Sequence, residues 1–321
     1  MPYKIYVDFA TPPDVLEMLQ AGTPGHELVF PKQFTSSVLG KAEPDPQFAT
    51  VDIAFGQPDV HAIAEAARLK WIQVTSSGIT RYDTPPFRAL AAERQIAVCN
   101  SASVFELPCA VQIMSFMLAQ ARNLPGALRS RAASGTPEWN ALRGSSGTLH
   151  GQSVVILGFG AIGKRLVQLL APFQMKITAC RRQARGDEGV PVITPGELSR
   201  TPADHVINIL PDNADSRRFF TAARFSALRP GTVFYNIGRG TTVDQDALLD
   251  ALRSGHLKAA WLDVTDPEPL PDGHPLLGEP NCFITPHLAG GHTDETKTLV
   301  RHFLKNFEQF IQGKPLFDRV M

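Results

Sequence analysis

Three polar residues in the last third of the chain stand where chemistry would need them. Arg239 follows the apolar run "TVFYNI" (232–237) and lies between two glycines. Glu268 stands in a proline-flanked loop, and His287 closes a second apolar run, "CFITPH" (282–287). A guanidinium binds carboxylates and polarises carbonyl oxygens. An imidazole gives or takes a proton near neutral pH, and a carboxylate beside it stabilises the protonated ring. Singly, each residue has a plainer reading: an exposed loop arginine, a helix-capping glutamate, a satisfied core histidine. Together they form a candidate set, because open α/β sheets build their sites outside the carboxyl ends of strands, where all three are expected.

A second constellation lies upstream. "VVILGFGAIGKRL" places Gly158, Gly160 and Gly163 in the G-x-G-x-x-G pattern between an apolar run and a helical one. Gly158 permits a tight turn, Gly160 lets backbone approach a pyrophosphate, and Gly163 lets helix pack on strand. The amides that open the helix, around Ala161 and Ile162, then face phosphate with the helix dipole behind them. Dinucleotide binding is the expectation, against a turn that is merely tight. In such units the next strand usually ends in an acid that accepts from the ribose 2′-hydroxyl. Here "KITACRRQAR" ends instead in Arg181 and Arg182, with Arg185 close behind. Guanidinium groups favour a 2′-phosphate through charge-assisted bonds of about 1.5–3 kcal/mol each. The residues therefore point to NADP(H) over NAD(H), the alternative being a solvated basic turn.

The elements that must position these groups are legible as short apolar runs alternating with helical ones, the pattern of parallel sheets covered by helices. Strands are expected at 4–9, 51–56, 71–78 and 96–100 in the first third. A second series falls at 153–160, 176–180, 205–210, 232–237, 259–264 and 282–287. A long apolar helix is expected over 108–122, and a polar loop rich in glycine and serine over 133–151. Near the end, Leu299, Phe303, Phe307 and Phe310 recur at helical spacing and form one apolar face. Two α/β domains follow from this alternation.

Composition excludes several classes. Lys+Arg and Asp+Glu are both 31, so the 321-residue chain carries no net charge to attract nucleic acid or an anionic membrane. No apolar run is read as reaching the ~18 residues that span a bilayer, and the start lacks a secretory pattern. Cys99, Cys109, Cys180 and Cys282 are scattered without metal-ligand spacing and are expected as buried, reduced thiols. A cytoplasmic protein without a metal, a nucleic-acid partner or a membrane is expected.

With "NIGRGTTVDQDALLDAL", "AAWLDVTDPEPLP" and "NCFITPHLAGG" in this order after the glycine turn, the chain resembles the D-isomer-specific 2-hydroxyacid dehydrogenase family. It is most similar to the NADPH-preferring glyoxylate/hydroxypyruvate reductase branch, over roughly residues 148–292. The resemblance implies a Rossmann nucleotide-binding domain (102–289) inserted into a flavodoxin-like substrate domain (1–101 and 290–321), both doubly wound parallel sheets. It also implies a homodimer with the 104–147 segment as an arm.

The activity it implies is reduction of a small 2-oxoacid by NADPH. Arg239 would clamp the carboxylate, His287 would carry the proton and Glu268 would act with it. "WIQVTSSGI" matches the family's turn that holds the substrate carboxylate on backbone amides, at Ser77, Gly78 and Ile79. Asp263 matches an acid near the nicotinamide amide, Leu210 and Pro211 would lie along the cofactor, and Ile237 would border it. The chain departs from the family pattern at Thr80 and Val111, where acids are common, and at Ser103, where glycine is usual. Other readings remain: a nucleotide-sensing, corepressor-like interaction protein of the same fold, or a dehydrogenase of another acid such as phosphoglycerate or phosphite. Formate oxidation fits less well, because there the histidine pairs with glutamine.

Overall fold

A computed structural model describes residues 2–32, 34 and 45–321. The chain divides into two compact units, Met1–Phe105 with Gly291–Met321, and Glu106–Gly290.

The first unit holds strands β1 (Lys4–Val7), β2 (Glu27–Val29), β3 (Ile53–Gly56), β4 (Trp71–Val74) and β5 (Ala97–Cys99). All pair in parallel in the order β2-β1-β3-β4-β5, so the winding reverses between β1 and β3. Helices α1 (Pro13–Gly22), α2 (Val60–Glu65) and α3 (Pro85–Glu93) connect them. β1, β3 and β4 read as nearly unbroken apolar runs because both faces of a parallel sheet are covered.

The second unit is entered through α4 (Ala102–Ala121), α5 (Leu124–Arg129) and α6 (Pro137–Ser145). Strands β6 (Ser153–Leu157), β7 (Lys176–Cys180), β8 (Val192–Ile193), β9 (His205–Asn208), β10 (Thr232–Asn236), β11 (Leu257–Leu262) and β12 (Cys282–Ile284) follow. Between them run α7 (Ala161–Leu170), α8 (Ala222–Ser226) and α9 (Gln245–Arg253). The order β12-β11-β10-β9-β6-β7-β8 is again wholly parallel and doubly wound, with its reversal between β6 and β9. One side of this sheet packs on Phe220, Phe225, Leu248 and Leu252.

The chain then returns to the first unit as α10 (Glu295–Ile311). Phe303 stacks on Phe55 at 4.3 Å and on Trp71 at 5.1 Å, while Phe310 stacks on Trp71 at 5.3 Å. Fully burying a ring such as Phe303 contributes about 1.5–3 kcal/mol. Asn306, buried on the same face, donates to Gln73 Oε1 at 2.9 Å and accepts from Phe317 N at 2.7 Å. The apolar face read at Leu299, Phe303, Phe307 and Phe310 thus docks as one surface, with only Phe310 half-exposed.

Several expectations needed revision. The stretch 133–151 contains α6, whose Thr136 caps it by accepting from Trp139 N at 3.3 Å, with Pro137 opening the first turn. Those are helix-start residues, hidden between glycine- and serine-rich flanks. α4 begins at Ala102, so Pro108 lies inside the helix. It is 20 residues long and reaches a mean hydropathy of 1.5 over 18 of them, long and apolar enough to cross a membrane by length and composition. Its Glu106 nonetheless pairs with Arg165, and its Gln120 accepts from Trp261 Nε1 at 2.8 Å. Strands read to 78, 210 and 287 stop at Val74, Asn208 and Ile284, and the residues beyond form the loops that carry the site. Cys99, Cys109 and Cys180 are buried thiols in no disulfide, whereas Cys282, also in no disulfide, is only half-buried.

Candidate active site

The glycine turn leaves β6 at the point where the large sheet reverses. Gly158 has a φ of +83°, and a Cβ there would fall 2.5 Å from the carbonyl oxygen of Ile209 at the end of β9. Only glycine permits both the left-handed backbone and that approach. Gly160 N–H donates to Gly158 O at 2.9 Å, and Gly160 caps α7 without any side-chain acceptor. The first amides of α7, at Ala161, Ile162 and Gly163, are therefore not capped by a side chain, whereas Asp244 caps α9 by accepting from Ala247 N at 3.2 Å. A Cβ on Gly160 would meet nothing within 4 Å among the described residues, so its bareness leaves space at the helix mouth. Gly163 is buried, with Phe159 at 3.2 Å and Ile156 at 3.6 Å from a built Cβ. This cradle suits a pyrophosphate. Leu210 and Pro211 follow β9, Leu210 half-buried and Pro211 exposed, and Ile237 is buried just beyond β10.

The arginines beyond β7 are less free than their sequence suggests. Arg181 Nη1 donates to Glu188 Oε1 at 2.8 Å and lies 3.5 Å from Asp187. Arg182 pairs with Asp215, and Lys164 pairs with Asp187 at 2.5 Å. The lysine bond holds the Asp187 carboxyl below its ordinary range, and the Arg185 amide does the same for Glu188. Glu188 has no local sequence signal: it lies on a loop seven positions past the arginine it binds.

Arg239, Glu268 and His287 all belong to the second unit, on loops beyond β10, β11 and β12. The two glycines around Arg239 are needed for close approach. A Cβ on Gly238 would lie 2.6 Å from Leu210 O, and one on Gly240 would lie 2.0 Å from the carbonyl carbon of Thr265. The arginine turn is thereby pressed onto the loop that carries Glu268. Gln245 fastens it further, donating to Asp266 O at 2.6 Å and accepting from Asp266 N at 2.9 Å. Arg239 is half-exposed, its Nη1 on Gly238 O at 2.7 Å, and its own carbonyl accepts from Thr242 Oγ1 at 2.6 Å. Behind it Asn208 donates to Asn236 Oδ1 at 3.0 Å and to Thr242 Oγ1 at 2.7 Å, a buried network with its donors satisfied.

His287 Nδ1 donates to Glu268 Oε1 at 2.5 Å. His287 has a φ of +47°, and its amide donates to Asp263 O at 2.9 Å. Asp263 is buried, and its carboxylate accepts from Thr285 Oγ1 at 2.6 Å, Leu288 N at 3.0 Å and Ala289 N at 2.9 Å. The family resemblance implies that this acid lies near the nicotinamide amide; its bonds make it the brace of the histidine loop. The remaining candidates, Ser77, Gly78 and Ile79, belong to the first unit, on the turn beyond β4. Asn100 Nδ2 donates to Ser77 O at 2.8 Å and Ser76 Oγ to Gly78 O at 2.7 Å. The carbonyls of this turn are engaged, while among the described residues no acceptor takes its three amides. His292 is half-buried, its Nε2 3.4 Å from Thr298 Oγ1.

Residues 114–289, more than half of the chain, match the family model of the D-isomer specific 2-hydroxyacid dehydrogenase, NAD binding domain. The glyoxylate reductase/hydroxypyruvate reductase of Homo sapiens is 30% identical over 259 residues, covering 79% of this chain and 77% of that protein. Glyoxylate/hydroxypyruvate reductase B of Salmonella newport is 30% identical over 277 residues, covering 83% of each. Among solved structures, the NADPH-dependent glyoxylate/hydroxypyruvate reductase of Sinorhizobium meliloti, in complex with NADP and malonate, superposes with a TM-score of 0.76 at 26% identity. It covers 100% of this chain and 97% of that one. The chain belongs to the D-isomer specific 2-hydroxyacid dehydrogenases, an oxidoreductase family, and within it is similar to the glyoxylate/hydroxypyruvate reductases.

Proposed function

We propose that this protein uses NADPH to reduce a small 2-oxoacid of the glyoxylate/hydroxypyruvate type to the D-2-hydroxyacid. The observation that carries the reading is the bond from His287 Nδ1 to Glu268 Oε1 at 2.5 Å. A carboxylate can only accept, so Nδ1 bears the hydrogen and Nε2 is the ring position left to work on a substrate. In the reductive direction His287 gives its proton to the carbonyl oxygen, and Glu268 stabilises the imidazolium that must exist beforehand. Arg239 binds the carboxylate and polarises the ketone. Bound NADPH supplies the hydride. Gly158, Gly160, Ala161, Ile162 and Gly163 would hold its pyrophosphate, and Leu210, Pro211, Ile237 and Asp263 would border it. The arginines after β7 would favour the 2′-phosphate, Arg182 and Arg185 from exposed positions and Arg181 by being held inward on Glu188, a choice consistent with the NADPH-dependent S. meliloti relative. The active species is proposed to be a cytoplasmic homodimer.

The test is a panel of 2-oxoacids, each assayed with NADPH and with NADH. NADPH oxidation with glyoxylate or hydroxypyruvate is expected, with kcat/KM about tenfold or more above that for NADH, as one charge-assisted bond supplies. No turnover with any 2-oxoacid would overturn the reading and favour a nucleotide-sensing role. Faster oxidation of phosphoglycerate or phosphite would replace the substrate.

A further inference from the structure

We propose that Glu188 determines cofactor specificity, by fixing the loop after β7 so that Arg185 is the cation presented to a 2′-phosphate. The inference rests on the NADPH reading above and deepens it. Around that loop four cations meet three carboxylates. Arg181 is paired with Glu188, Arg182 with Asp215 and Lys164 with Asp187. Among the described residues the Arg185 guanidinium pairs with nothing, and the side chain is exposed. The excess charge of the patch is therefore one, and it sits on Arg185. Arg182 is exposed as well, but its partner Asp215 is equally so, their side chains being 75% and 70% accessible. Such a pair is screened by water and exchanges readily for a stronger anion.

Arg181 is different. Its side chain is 12% accessible and that of Glu188 only 3%, so this pair lies inside the protein. The same carboxylate accepts from the backbone of Arg185 at 2.8 Å and of Gly186 at 2.9 Å. One buried group thus ties the end of the strand, through Arg181, to the amides of the residue that points outward. A carboxylate with three donors, two of them backbone, defines one loop conformation rather than many. Removing it frees Arg181 and releases Arg185 together. Glu188 touches no cofactor atom in this account; it is a positioning residue that acts through Arg185.

The experiment uses two probes of the adenosine end, 2′,5′-ADP and 5′-AMP, titrated calorimetrically into the full-length protein, so no substrate need be known. In the wild type 2′,5′-ADP is expected to bind at least tenfold tighter. Arg185→Ala, which keeps the backbone amide on Glu188, and Glu188→Ala should each lower that ratio about tenfold. A general loss of structure would weaken both probes alike and leave the ratio standing, so the ratio is the decisive readout. Glu188→Gln retains an amide-accepting oxygen and should recover part of it. A wild-type preference that survives Glu188→Ala within twofold would overturn this proposal while leaving the NADPH reading intact. No wild-type preference at all would overturn both.

Discussion

The hydrogen bond between His287 and Glu268 assigns work to a single nitrogen. With Nδ1 committed to the carboxylate, Nε2 is the proton donor, and the substitution His287→Ala should lower turnover by roughly 10²–10⁴. Glu268→Gln should lower it less, since the ring survives and only its orientation and charge stabilisation suffer. Because Glu268 lies in an exposed loop, its variant should melt with the wild type; near-normal turnover in His287→Ala would remove the acid–base assignment. Asp263 predicts something else. Its carboxylate holds three donors from the 285–289 loop, so Asp263→Ala strands the buried Ala289 amide, the part-buried Leu288 amide and a threonine hydroxyl. About 1–3 kcal/mol of stability should disappear from denaturant unfolding, together with activity. Unchanged unfolding would show that the loop does not depend on it. Arg239 and His287 stood out by residue type and strand-end position, and Glu268 by its proline-flanked loop and the family's motif order. The bracing by Asp263 was not, because its partners lie 22 to 26 positions away and two of them are backbone amides that no sequence pattern marks.

Glycines show how an element can demand the same residue for opposite reasons. Gly240 is excluded from carrying a side chain by protein: its Cβ would lie 2.0 Å from Thr265. Among the described residues nothing crowds Gly160, which has open space around its Cβ and an ordinary negative φ. Gly240→Ala should therefore cost about 1–3 kcal/mol of overpacking and displace the arginine turn. Gly160→Ala should leave unfolding unchanged and raise the KM for the cofactor, because the added methyl occupies the approach to the helix amides. Denaturant titration and cofactor kinetics on both variants check this contrast, and a destabilised Gly160→Ala would contradict it. The sheets were readable because parallel strands buried on both faces must be apolar throughout, as "IAFG" and "VVIL" are. β8, with two residues, and α6, between flexible-looking flanks, carry too little pattern to be seen. Likewise "RRQAR" reads as bare positive charge only until the fold brings Glu188 and Asp215 to it.

For the whole molecule two consequences are measurable. Leu107 and Val111 are exposed one turn apart on α4, and Leu124 and Leu128 are exposed on α5, Leu128 to 74%. An apolar stripe of this kind marks an association surface, and the dimer proposed above predicts that Leu107→Glu with Leu128→Glu yields a monomer in sedimentation. Dimeric sedimentation by the double variant would exclude this face. The second consequence is opposite pH dependence in the two units. In the second unit, His205 is buried and satisfied as a neutral ring, with Nε2 donating to Gln152 Oε1 at 2.6 Å and Nδ1 accepting from Tyr235 at 3.0 Å. Burial lowers its pKa from 6.5 to about 4, against the pull of Asp204. As pH falls below 6.5 the unfolded chain takes up this proton first, so the unit loses up to about 3 kcal/mol by pH 4. In the first unit, burial raises Asp8 from 3.8 to about 6, despite the Gln57 amide and Arg81. Here the folded state takes up the proton first, so stability is full below 3.8 and about 3 kcal/mol is lost as pH rises through 6. Hydrogen exchange read separately at β6/β9 and at β1/β3, at pH 7.5 and at pH 5, should show protection falling in the first pair and rising in the second. His205→Gln should flatten the former and Asp8→Asn the latter; parallel responses, or slopes unmoved by these substitutions, would refute the assignment.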